Sequence, residues 1–115
     1  MTYPLFLTTI VMKQLNEKDF EQALDSTPVT GTYTLNKGYI LDYLFKKLSF
    51  EDLKVVNGSF TCSFFQNCKF LNVIFESVHL DDCDFKNCQF ENVTFKNCTT
   101  ENIQFINCNN MPNTM

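Results

Sequence analysis

From Leu48 onward the sequence predicts an all-β fold, a thin four-sided solenoid of about three coils with a small cap before it. Three observations carry that prediction. Cut into fives from Leu48, the chain reads LSFED, LKVVN, GSFTC, SFFQN, CKFLN, VIFES, VHLDD, CDFKN, CQFEN, VTFKN, CTTEN, IQFIN. The third place is Phe or Leu at all but Val55 and Thr100, and from Gly58 the first place is small or aliphatic. The fifth place is Asn, Asp or Ser, with Cys62 as the exception. A period of five fits neither the 3.6 of a helix nor the 2.0 of a flat strand.

Each element of the coil follows from those places. If the first and third residues point inward, the other three point outward and the chain must turn a corner every five residues. Asn, Asp and Ser suit corners because they tolerate unusual backbone conformations and hydrogen-bond their own main chain. Four corners make a circuit of twenty residues, so residues twenty apart stack at the strand spacing of ~4.8 Å. Phe65, Phe85 and Phe105 then form one aromatic column and Phe50, Phe70 and Phe90 another, with Asn67, Asn87 and Asn107 laddered at a corner. Burying each ring is worth ~1.5–3 kcal/mol, enough together to support a narrow solenoid.

The five-residue unit, over Leu48 to about Cys108, resembles the pentapeptide-repeat family. That resemblance implies a right-handed quadrilateral β-helix and leaves function open, since the family serves many. Four stretches are similar to the luminal domain of the synaptic vesicle glycoprotein 2 family: VTGTYTL (Val29–Leu35), LSFED (Leu48–Asp52), CQFENVT (Cys88–Thr94) and FKNCT (Phe95–Thr99). YPLFLTTIVMKQLNEKDFEQ, from Tyr3 to Gln22, is loosely similar to the segment entering that domain. The resemblance implies a non-enzymatic protein receptor for botulinum neurotoxin serotype A, in the vesicle lumen or on the extracellular face. The toxin would pair with an open edge strand, here Phe95, Asn97, Cys98, Thr99, Thr100 and Glu101, assisted by a glycan at Asn97. Membrane attachment would come only through flanking segments. The alternative is a cytosolic pentapeptide-repeat protein, an acidic DNA mimic or an effector fragment.

Composition narrows the chemistry. All nine basic residues are Lys, and without Arg for bidentate contacts a nucleic-acid partner is not expected. The net charge of −4 falls on the repeats, since acidic and basic residues balance before Leu48. The apolar run Leu5–Met12 is short of the ~18 residues of a membrane span, and no basic region precedes it as in a signal peptide. HLDDCD (His79–Asp84) places His79, Asp81, Asp82 and Asp84 around one outer corner, a solvated acidic edge without calcium-loop spacing. No nucleophile-and-base set and no glycine-rich phosphate loop is present, so neither enzymatic activity nor a cofactor or metal is expected.

Cys68, Cys83, Cys88, Cys98 and Cys108 take the inward first place and Cys62 faces out. Cys68, Cys88 and Cys108 share a column, where Cα atoms approach disulfide spacing of ~4.4–6.8 Å. The favoured reading is free thiols acting as small core residues. Three glycosylation sequons, at Asn57, Asn92 and Asn97, fall on outward fifth places.

The first 47 residues break the period. Ile10–Leu15 and Phe20–Leu24 predict short helices, with Asn16 a candidate cap. TGTYTLN predicts a strand, and YILDYLFKKL reads equally as helix or strand. The expected organisation is a capping segment over 1–47, the solenoid over 48–110 and a disordered tail over 111–115. Outward Phe64, Leu71 and Ile74 are candidate contacts for the cap or for a partner.

Overall fold

The computed structural model of the chain describes residues 15–114, so most of the helix expected over Ile10–Leu15 lies outside it. Asn16 does cap a helix: its side chain accepts from the amides of Lys18 and Asp19, and Asp19 returns a carboxylate to the Asn16 amide. This helix, α1 (Glu17–Ala23), is followed by strands β1 (Val29–Thr34), β2 (Leu44–Lys46), β3 (Ser49–Val56), β4 (Phe64–Gln66), β5 (Lys69–Glu76), β6 (Asp84–Lys86), β7 (Gln89–Lys96), β8 (Gln104–Ile106) and β9 (Asn113–Thr114). They form two parallel sheets, β1-β3-β5-β7-β9 and β2-β4-β6-β8. Successive strands of each sheet belong to successive circuits, giving a β-solenoid of about four turns.

Backbone geometry explains the period. Every fifth residue from Lys47 to Asn107 has a positive φ, between 49° and 68°. This left-handed conformation costs an ordinary residue roughly 1–2 kcal/mol, and Asn and Asp bear it best. Side chains carry the ladder further: Asn92 Nδ2 donates to Asn72 Oδ1 (2.9 Å), and Asn72 Nδ2 to Asp52 Oδ1 (3.1 Å). At the expected corner Asn107 Nδ2 donates to Asn87 Oδ1 at 2.7 Å.

The predicted pair of columns runs through the core, with Phe60, Phe75, Leu80 and Phe95 buried beside it. Phe45, Phe65, Phe85 and Phe105 stack at 4.5, 4.5 and 5.1 Å between ring centroids. Phe50, Phe70 and Phe90 stack at 4.9 Å per step. The two columns meet edge to face, as between Phe70 and Phe85 at 5.9 Å.

The solenoid starts earlier than Leu48. β1 and β2, within the stretch expected to be only a cap, are the first strands of the two sheets. Their register conceals them: Val29 lies opposite Phe50, Tyr33 opposite Val55, Ile40 opposite Ser59 and Leu44 opposite Phe64. The step is therefore twenty-one, twenty-two, nineteen and then twenty residues. Gly31 (φ 118°) sits at the irregularity in β1. Gly58 answers another crowding, since a Cβ there would lie 2.7 Å from Leu35 Cδ1. Ahead of this coil Phe20, the buried residue of α1, meets Tyr33 and Phe60 edge to face at 5.3 and 6.1 Å. Near the C-terminus, Asn113 and Thr114 pair with Thr94 and Phe95, where a disordered tail was expected.

Candidate partner-binding edge

The far end of the solenoid is built differently on its different sides. β9 covers β7, so Phe95 is buried and paired opposite Thr114 rather than lying at an edge. One corner on, the Thr99 amide donates to Val78 O and the Thr99 carbonyl accepts from Leu80 N, both in the preceding circuit. Glu101 donates its amide to Asp81 Oδ1 at 2.7 Å, and its carbonyl accepts from Asp82 N. The backbone of Thr99 and of Glu101 is thus occupied. Residues alternate in a parallel ladder, so the Thr100 amide points away from the preceding circuit.

Beyond it lies β8, the last strand of its sheet. Gln104 N donates to Cys83 O, and Ile106 O accepts from Asn87 N. The same alternation turns the amide and carbonyl of Phe105 outward. β8 reads Gln-Phe-Ile, with Gln104 and Ile106 exposed and Phe105 half-buried. The open edge is therefore Thr100 and β8, inside the final stretch around Asn97–Cys108 that the repeat count expects to be unpaired, and beyond most of the residues Phe95–Glu101 named for the partner. Phe105 carried a signal for this, being the last ring of its column.

Asn97 is an exposed corner residue with φ 53°. Its sequon threonine, Thr99, donates its hydroxyl to Asp81 Oδ2 (2.9 Å) and lies 2.8 Å from His79 Nδ1. Because the single hydroxyl proton goes to Asp81, Nδ1 is the protonated nitrogen and donates to Thr99. Asn92 is exposed and Asn57 half-buried, both likewise at positive-φ corners. The Asp81 carboxylate is used internally, and among the described residues no group of three or more His, Cys, Asp or Glu is placed to hold a metal.

All six cysteines are free, and Cys62 alone is exposed. The inward five do more than fill space. Each Sγ donates to a third-place carbonyl of the preceding circuit: Cys68 to Phe45, Cys83 to Phe60, Cys88 to Phe65, Cys98 to Phe75 and Cys108 to Phe85, at 2.8–3.4 Å. Ser63 makes the same bond to Leu41 O at 2.7 Å. Burial pushes the Cys83 thiol up to about 12 and raises those of Cys98 and Cys108. These groups are therefore poor nucleophiles at neutral pH.

A groove of about 300 Å³ lies on the face carrying Glu51, Lys69, Leu71 and Glu91. Its charged residues are all at least partly exposed. Of the candidate contacts for the cap or for a partner, Phe64 stands on β4 and Leu71 and Ile74 on β5, whereas α1 packs on β1, which leaves a partner as the reading for these residues.

Comparison with known proteins agrees with the geometry. Residues 59–97 match the family model for pentapeptide repeats, in eight copies. A comparison with curated proteins found no match. The chain carries a run of pentapeptide repeats, and its solenoid continues that run backward to Val29 and forward to Thr114.

Proposed function

We propose that the chain is a non-enzymatic binding module that receives a protein partner by strand addition at its C-terminal edge. The observation that carries this reading is β8, an outer strand with no charge and no proline. Edges that must stay unpaired are normally guarded by Lys, Pro or a bulge. Glu101 is the one charged side chain from Cys98 to Met115, so little repulsion opposes an incoming strand. Strand addition draws its affinity from main-chain bonds, which Thr100 and Phe105 have to offer.

Within that reading, the similarity to the luminal domain of synaptic vesicle glycoprotein 2 supports a receptor whose partner is botulinum neurotoxin serotype A. It would carry glycans at Asn57, Asn92 and Asn97 and act in the vesicle lumen or on the extracellular face. The test is titration of the toxin's receptor-binding fragment against the glycosylated and the unglycosylated domain. Binding is expected to fall strongly in Thr100→Pro, which removes an outward amide, and to persist in Cys62→Ser. Asn97→Gln is expected to weaken only glycosylated material. Absence of binding by both forms of the unmutated domain would overturn the receptor assignment.

A further inference from the structure

The end of the aromatic column lies beside the open strand. Phe45, Phe65, Phe85 and Phe105 are spaced 4.5–5.1 Å apart, and the first three are buried while Phe105 is only half-buried. Phe90 reaches it edge to face at 5.7 Å from one side. Ile103 and Cys108, the first-place residues around it, are half-buried as well, in contrast to Cys83 and Cys88 one circuit earlier. The column thus offers one ring face, framed by two apolar first-place residues, directly below unpaired backbone.

Granted the open edge proposed above, we infer that its partner is an uncharged strand bearing an aromatic residue opposite Phe105. That ring would become the next member of the column. The residue two places before it would sit over Ile103 and has to be small or aliphatic, as at every inward first place of the solenoid. The residues between and beyond would point outward above Gln104 and Ile106, where a charge gains nothing from a neutral strand. Backbone pairing gives register, and the stacked ring chooses among strands that all share the same backbone.

The probe is a ten-residue synthetic peptide containing two copies of Val-Gln-Phe-Thr-Asn, compared with the same peptide having Ala for both Phe. Each is titrated into the intact chain while the amide signals of Thr100 and Phe105 are followed by NMR, along with their hydrogen exchange. The Phe peptide is expected to bind about tenfold or more tightly than the Ala peptide, because one ring is both buried and stacked. It should also slow exchange at Phe105. If both peptides bind equally and both protect the Phe105 amide, the edge accepts strands but the aromatic requirement is wrong. If neither peptide protects that amide, the edge reading itself fails.

Discussion

Phe85 is the most informative residue to remove. It is fully buried, stacked on Phe65 at 4.5 Å with 4° between ring planes and beneath Phe105 at 5.1 Å. Phe70 and Phe90 approach it edge to face at 5.9 and 5.6 Å. Phe85→Ala deletes a ring enclosed on four sides by other rings, and a stacked column cannot collapse to fill the gap without breaking the ladder above and below. The loss is expected near the top of the ~3–5 kcal/mol range for core Phe→Ala. Phe105→Ala removes the same group from the open end, with one stacking neighbour and a ring less buried than Phe85, and should cost about 1–2 kcal/mol. The assay is urea denaturation followed by circular dichroism and by tyrosine fluorescence, since a solenoid that frays from one end will separate the two probes. A cost below about 1 kcal/mol for Phe85→Ala, or equal costs at the two positions, would refute the column as the source of stability.

Three further outcomes are expected. In denaturant without reductant, all six thiols should titrate, whereas in the native protein Cys62 should react fast and the inward five slowly, with Cys83 slow even at pH 9; two or fewer thiols in denaturant would mean a cross-linked column. Asn87→Ala should destabilise by about 1–2 kcal/mol and Asn87→Gly by much less, because the corner at φ 55° penalises a Cβ; equal losses would place the cost in the side-chain ladder instead. The Tyr43 hydroxyl donates to Glu21 Oε2 at 2.8 Å, tying α1 to the first coil, and the Tyr39 and Tyr43 hydroxyls keep the Glu21 carboxyl below the usual 4.5. Its contribution is therefore complete above that value and lost as pH falls through the lowered folded value. Acidification should make the α1 amides exchange faster, and in Glu21→Gln the Glu21 part of that pH dependence should vanish.

Period, columns and corners were legible from sequence because the circuits after Leu48 each hold twenty residues, so stacking repeats the same letters in the same places. Phe65, Phe85 and Phe105 could be placed on one another by counting alone, and the Asn, Asp and Ser corners announced their positive φ. The Asn16 cap was legible too, being a purely local hydrogen-bond pattern. The first coil was not. Its steps of twenty-one, twenty-two and nineteen residues put Val29, Tyr33 and Leu41 into the core without any shared period, and only closing the sheet reveals the match. Tertiary structure also decided where the open edge lies. Which amides point outward depends on the alternation of the ladder, which gives Thr99 to the preceding circuit and leaves Thr100 free. Phe95 lost its edge because the chain after Pro112 continues round the next circuit and pairs parallel with it, a contact between segments whose residues carry no mark of each other.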